Sequence, residues 1–513
     1  MYLIIATLLF IIILLHLLMA HFKYKLDYWK RCRIPYVEPV PLVGNLKDLF
    51  FTRIGFGELF QKLYEDEQLK AAQVGGIFLL HQPALILRDA DLIKSVLIKN
   101  FHKFQNRYEA ADPYHDAMGS LTLPLSKYHI WWGCRKKISE IFTSGKIKLR
   151  MYPLMLEVVN ELEFYLQKKL KESREDDESG NVIEVKEMFS LFTTDLTSIL
   201  HYGVYAKGLS QGHSDLRQQT LDLFNIDFFR LLHFFVIFFC PHLTTVFRAK
   251  VFSRPYTAFM RKFTTSICKM RSQHMPSNSQ GDLVDVLLKF KAENKQEPLH
   301  YTQHKDFVAS QVAIFLLAGF ETSSSVLGFT LYELAKQPDI QAKLRRELKE
   351  AFRLKSSLSY EELQALPYLQ MVLCEGLRMY PAAAFINREC TAAAGFQLTS
   401  DLFIPHGMPV YVSILGLHRD PKFWPEPESF NPERFSSTSG NINPIVYQPF
   451  GLGPHSCIGS RLGLLQVKLA LAHTLRLYRV QTCSRTVNKI KFDPKSFMLQ
   501  AKGGIYLRFI RDE

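Results

Sequence analysis

The ten residues from Phe450 to Gly459 (FGLGPHSCIG) constrain this chain more than any others. Two glycines and a proline bend such a backbone into a tight, irregular loop. A helical pattern begins at once behind it (IGSRLGLLQVKLALAHTLRLY), which predicts a helix near 458–476 with Cys457 at its N-terminus. Unpaired N–H groups and the positive end of the helix dipole favour a thiolate at such a position. The alternative is a buried structural cysteine. It does not explain a cysteine with Phe seven before it, Gly four before it and Gly two after it.

The other cysteines offer no competing site. The eight are Cys32, Cys134, Cys240, Cys268, Cys374, Cys390, Cys457 and Cys483, and no two form a CxxC pair. A zinc or disulfide framework is therefore not expected, and a reducing compartment is. With 513 residues and 47% apolar content the chain can bury a large core. A typical domain size would divide it into about three. No Pro/Gly/Ser-rich linker separates blocks, and the motifs below are scattered yet serve one site. One large domain behind an anchor is the expectation. The net charge of +14 is spread along the chain without a nucleic-acid motif, so no nucleic-acid partner is expected. A basic face for an acidic protein or for anionic lipid accounts for it, as does ordinary solvated surface.

From Tyr2 to Phe22 there is no charged side chain, and Lys23, Lys25, Lys30, Arg31 and Arg33 follow. An apolar helix of about 20 residues spans roughly 30 Å of hydrocarbon. The flanking cations predict that the bulk of the chain stays in the cytosol. A cleaved signal peptide would want a basic start and a shorter apolar run, and a transit peptide would be Arg- and Ser-rich. The division expected is residues 1–22 as a transmembrane anchor, 23–45 as a basic, proline-rich hinge (Pro35, Pro39 and Pro41) and 46–513 as the catalytic domain.

Periodicity predicts helices near 130–142, 151–174, 186–205, 281–294, 305–336, 340–354, 360–379 and 458–476. Strands are expected at 76–87 and 403–413. Residues 172–180 read as a charged surface loop. The fold class expected is mainly α with small β sheets. Leu231–Cys240 (LLHFFVIFFC), with Phe224, Phe228 and Phe229, is too short to cross a bilayer. It reads either as a core helix or as part of a helix pair that dips into the membrane surface and roofs an apolar pocket.

Further motifs accompany the cysteine loop. Ala318-Gly319-Phe320-Glu321-Thr322 lies in an apolar helical run that Pro338 ends. Gly319 and Thr322 share a face of it, and a mid-helix glycine costs about 1 kcal/mol against alanine, which a site needing room beside the backbone would justify. Glu375 and Arg378 are spaced to pair along one helix face, and Phe430-Asn431-Pro432-Glu433-Arg434-Phe435 follows. Trp131 and Arg135 form a WxxxR pair, followed by Phe142-Thr-Ser-Gly-Lys-Ile-Lys148. Read along the chain as anchor, proline hinge, WxxxR, AGxET, ExxR, PERF and cysteine loop, the set covers essentially the whole sequence and resembles the cytochrome P-450 superfamily, most closely its insect microsomal members.

That resemblance implies the cytochrome P-450 fold, one large helical domain behind an N-terminal transmembrane helix, carrying haem b with Cys457 as axial thiolate. A thiolate so placed pushes electron density toward O–O cleavage. Phe450, His455 and Gly459 would bound the cofactor, and Trp131, Arg135 and Arg388 would grip its propionates, a task suited to the planar arginine fork. Thr322 would hydrogen-bond activated oxygen and Glu321 would relay protons, while Glu375, Arg378 and Arg434 would be a structural triad. Two residues depart from the family pattern: His455 stands where arginine is usual, and Glu140 where proline is common. The first leaves open whether the imidazole faces a propionate or points to solvent.

The reaction implied is monooxygenation of a small apolar substrate, whether xenobiotic, hormone or lipid, with O₂. Its pocket would draw on residues near 108–121, 224–239, 312–322 and 381–386, with Ala382, Ala383 and Ala384 leaving room above the haem. No GxGxxG follows a predicted strand, so electrons from NADPH must come through a separate protein. For an anchored member that is NADPH–cytochrome P-450 reductase, with cytochrome b5 as an optional second donor, at the cytosolic side of the endoplasmic reticulum membrane. Two rivals stay open: a haem-thiolate enzyme that isomerises or cleaves peroxides, and a non-catalytic membrane haem protein. The Glu321-Thr322 pair argues against the first, and the full set of motifs against the second.

Overall fold

The computed structural model describes residues 2–172, 181–221, 223, 227–273, 281–440 and 442–511. Most of the expected charged loop at 172–180, and Phe224, lie outside the described residues. Helices dominate, as expected. The ones that matter below are α1 (Tyr2–Leu26), which lies apart from the site, and α2 (Tyr128–Ile138), α3 (Val185–Tyr202), α4 (Phe228–Phe239), α5 (Phe307–Lys336), α6 (Pro367–Met379) and α7 (Ser460–Leu477), which frame it.

The larger sheet has four strands, β1 (Val74–Leu79), β2 (Gln82–Leu87), β3 (Phe385–Glu389) and β4 (Pro409–Ser413), in the order β1-β2-β4-β3. β2 and β4 run parallel, and the other two pairs are antiparallel. The expected strand at 76–87 is thus a hairpin. The expected strand at 403–413 divides between two sheets, because Pro405 and Gly407, the latter at φ +79°, turn the chain between Leu402–Ile404 and β4. The helix expected at 360–379 divides in the same way: Tyr360–Gln364 stops, and Pro367 opens α6 at its first turn, where a missing N–H costs nothing.

The core is organised around α5. It is long and apolar enough to cross a membrane, yet 72% of its most apolar stretch is buried inside the protein. α3 lies along it so closely that a Cβ on Gly319 would stand 2.5 Å from the Thr197 hydroxyl. The mid-helix glycine therefore makes room, as the sequence suggested, but the room is taken by a neighbouring helix. α1 differs from α5: its Ile4, Leu9, Phe10 and Leu17 are exposed, and its helix runs four residues beyond the expected end at Phe22.

Candidate functional site: a cysteine loop opening on a cation-rimmed cavity

The loop before α7 takes its shape from backbone constraints. Gly451 and Gly453 both have positive φ, and a Cβ on Gly453 would meet the Leu97 carbonyl at 2.1 Å. Only glycine fits there. The N–H of Ser456 donates to Gly453 O at 2.9 Å and that of Cys457 to Phe450 O at 2.8 Å, closing the loop on itself. α7 starts at Ser460, so Cys457 sits just ahead of the helix, its thiol facing a cavity. Burial pushes this thiol up, while the Gly459 N–H and the guanidiniums of Arg135 and Arg107 pull it down without cancelling that effect. A coordinated metal would deprotonate the thiol outright.

The cavity brings together Phe450, His455, Cys457 and Gly459 from the loop and Thr322 from α5. Its apolar wall comes from Phe142, Phe315, Ala382, Ala383, Ala384 and Val326. From the expected pocket segments it includes Glu109, Phe238, Phe315 and Ala382. Phe497 and Met498 also line it and were not anticipated, because they come from a loop that carries no motif. The Thr322 hydroxyl donates to Ala318 O at 2.8 Å, the ordinary bond of a helical threonine, and keeps its lone pairs for the cavity.

Glu321 does not line this cavity. Adjacent residues on a helix point about 100° apart, so while Thr322 faces in, Glu321 is buried on another side. There it pairs with Lys186 of α3 at 2.8 Å and accepts from Gln500 Nε2 at 2.6 Å. Its second carboxylate oxygen is buried without a partner.

One rim of the cavity is cationic. Arg107 donates to Pro124 O at 3.0 Å and to His455 O at 3.4 Å. Arg388 donates to Asn387 O at 2.5 Å, and its Nε is buried without a partner. Burial, with the Arg107 charge beside it, lowers Arg388 to about 9, and burial lowers Arg107 too. Arg135 of α2 adds a charge close enough to act on both Cys457 and Arg107. Of these three only Arg107 is among the described lining residues, where it lies 3.9 Å from one carboxylate, Glu109, which accepts from Asn387; Arg135, Arg388 and Trp131 do not line the cavity themselves. Trp131 is fully buried and packs on His455. The sequence reasoning missed Arg107. The signal available was a lone arginine after Phe101 and Phe104, which has no motif value by itself.

Behind the cavity, the expected triad is assembled. Arg378 meets Glu375 through Nε at 2.7 Å and Nη2 at 2.9 Å, and both side chains are fully buried. Arg434 reaches Glu375 at 3.3 Å, and Arg378 also ties down the carbonyls of His418 and Ser429. This network locks α6 to the chain that leads into the cysteine loop.

The cytochrome P450 family model matches residues 34–508. The chain belongs to the cytochrome P450 family. It is 50% identical over 95% of its length to a Drosophila melanogaster protein named "Probable cytochrome P450 6t3", covering 96% of that protein. It is 32% identical over 98% of its length to "Cytochrome P450 6k1" of Blattella germanica, covering 97% of it. It is 33% identical over 94% to "Lithocholate 6-beta-hydroxylase" of Mesocricetus auratus, covering 92% of it. This P450 is accordingly an oxidoreductase: a monooxygenase with haem iron held by a cysteine thiolate, served by a redox partner and O₂, acting on apolar substrates. The cavity fits that group. It presents a cysteine on one wall and an apolar surround. The Arg107 guanidinium on its wall, and the buried Arg388 Nε nearby, a donor without a partner, are what propionate oxygens would satisfy.

Proposed function

We propose that Cys457 is the haem-iron ligand of this monooxygenase, and that Trp131, Arg135, Arg388 and His455, joined by Arg107, hold the propionate edge, with Phe450 and Gly459 against the macrocycle. The observation that carries the reading is that Cys457 and Thr322, from two motifs 135 residues apart in the chain, open on one cavity. Haem, when bound, supplies the activation of O₂. The protein's part is positional. The apolar walls exclude water and orient the substrate. Thr322 holds a proton at Oγ1 beside the reacting oxygen, and Glu321, the acid next to it in the chain, replenishes that proton. The intact Glu321-Thr322 pair favours monooxygenation over peroxide isomerisation or cleavage.

The substrate class is apolar and small. Electrons come from NADPH through NADPH–cytochrome P-450 reductase, with cytochrome b5 as an auxiliary donor. Residues 1–22 anchor the protein in the endoplasmic reticulum membrane, residues 23–45 form the hinge, and 46–513 form the catalytic domain on the cytosolic side. What supports the anchor is the exposed apolar surface of α1. What supports a second membrane contact is α4, where Phe228 is 68% exposed and Phe229 is 71% exposed. The deciding experiment reconstitutes the protein with reductase and NADPH. The expected result is a strongly red-shifted Soret band in the reduced CO complex and NADPH-dependent oxygenation of apolar probes. Retention of that band by Cys457→Ala would remove Cys457 as the ligand. Product formation from an added hydroperoxide without NADPH or reductase, and none with them, would point to the isomerase.

A further inference from the structure

We propose that Gln500 is a positioning residue through which the loop over the cavity holds the Glu321 carboxylate, so that proton supply to Thr322 depends on how that loop is seated. The inference rests on the reading of Glu321 as the proton carrier. The loop spans residues 493–502. Its base is closed by a bridge between Phe492 and Ala501 and by the Asp493 N–H donating to Gln500 O at 2.9 Å. Four successive residues in it make contacts of different kinds. Phe497 and Met498 line the cavity, and Phe497 stacks on Phe238 of α4 at 4.4 Å. The Leu499 N–H donates to Ala382 O at 3.1 Å. Gln500 Nε2 donates to Glu321 Oε1 at 2.6 Å.

Glu321 itself is 1% exposed. Its Oε1 takes three donors: Lys186 Nζ at 2.8 Å, Gln500, and Ser325 Oγ at 3.4 Å. Its Oε2 is buried and takes none. Lys186 is partly solvent-exposed and marks the way out. Gln500 is the one of these donors that belongs to the substrate-facing loop. A hydrogen bond to a buried carboxylate is short and strong, and leaving the other oxygen unsatisfied is costly. The arrangement therefore has one oxygen fixed and one free to take a donor. A ligand that displaces Phe497 or Met498 pulls on the same short strand of backbone that carries Gln500. Substrate seating and carboxylate position are mechanically linked through three peptide units.

The test uses the full-length holoprotein with Gln500→Met, which keeps the length of the side chain and removes the donor, and Gln500→Leu as a second donor-free variant. Correct folding is read from the red-shifted CO band, and substrate affinity from the spin-state titration; both should match the parent. The infrared carboxylate band of the resting ferric protein that vanishes in Glu321→Gln should shift in Gln500→Met. During turnover the ratio of hydrogen peroxide to product should rise about tenfold, the scale of one hydrogen bond to a charged group. The double variant with Glu321→Gln should be no worse than Glu321→Gln alone, since Gln500 acts through Glu321. An unshifted band, unchanged coupling in Gln500→Met, or additive losses in the double variant would overturn the inference while leaving Glu321 as the carrier. Parent-like coupling in Glu321→Gln would overturn both.

Discussion

The imidazole of His455 lies 3.9 Å, ring centre to ring centre, from the indole of Trp131 at an angle of 39°. Its Nε2–H donates to Gln105 O at 2.7 Å. The ring is 7% exposed, so it does not point to solvent. Burial and the charges of Arg107, Arg388 and Arg135 push its pKa far down, so it is a neutral aromatic wedge and not a substitute arginine. The charge at this rim is carried by Arg107, which donates to the His455 carbonyl. His455→Ala should speed haem transfer to an apo-globin acceptor about threefold to tenfold, the scale of an aromatic pair. His455→Phe, which keeps the ring, should fall between the two, and Arg107→Leu should lose haem faster than either. Equal transfer rates for all four proteins would show that this rim does not retain haem.

Arg378 and Glu375 are buried completely and joined at two points. Removing one partner of such a pair leaves an uncompensated charge and costs about 3–5 kcal/mol. Arg378→Lys cannot reproduce the two-point contact. It should sharply reduce the yield of protein with the red-shifted CO band and lower the thermal midpoint. Arg434→Lys should be milder, because Arg434 is partly exposed and meets Glu375 at 3.3 Å. Normal haem content in Arg378→Lys would mean that the pair is not what locks α6 in place.

What could be read ahead of the structure was whatever is local in the chain. The cysteine loop, the Glu375–Arg378 spacing and the apolar run of α5 each declare themselves within a dozen residues, and each is where it was expected. Arg107, Phe497 and Gln500 reach the site from segments with no periodicity or motif, and meet partners far away in the chain, 179 residues for Gln500 and Glu321. Glu321 shows what adjacency in the chain leaves open. Its neighbour Thr322 faces the cavity, but one step along a helix turns a side chain by about 100°. Adjacency in the chain therefore does not put both side chains on one wall: Glu321 meets Lys186 and Gln500 instead.

Deleting residues 2–22 should weaken membrane attachment and leave the haem spectrum unchanged, because the described side chains of α1 are mostly exposed while the motifs lie elsewhere. Residual binding should persist through Phe228 and Phe229, with Val246 and Phe247, also exposed, in the segment that follows α4. Sedimentation with vesicles of neutral and anionic lipid measures both effects. Adding Phe228→Ser and Phe229→Ser to the truncated protein should abolish the remainder. If the truncated protein does not bind haem, residues 2–22 belong to the folding core.

His201 of α3 gives a prediction about acid. Its ring packs against both Phe142 and Phe315, 5.8 Å from each centre, while those two rings stack on each other at 5.9 Å. Nδ1–H donates to Thr197 O at 3.2 Å, and Nε2 is buried without a partner. Burial lowers its pKa from 6.5 to about 4. The unfolded chain takes up a proton near pH 6.5, whereas the folded protein keeps this ring neutral until about pH 4. Between those values the unfolded state binds more protons, so the stability that the neutral ring contributes is complete above pH 6.5 and is lost as pH falls. The loss amounts to roughly 3 kcal/mol by pH 4. His418, fully buried and lowered to about 3, acts in the same direction and stays in both proteins compared. His201→Leu keeps an apolar side chain against the two phenylalanines and removes the orphaned nitrogen. The thermal midpoint of haem release, measured at pH 7.5 and at pH 5, should fall less on acidification in His201→Leu than in the parent. Equal falls in the two proteins would mean that His201 titrates no differently in the folded and unfolded states.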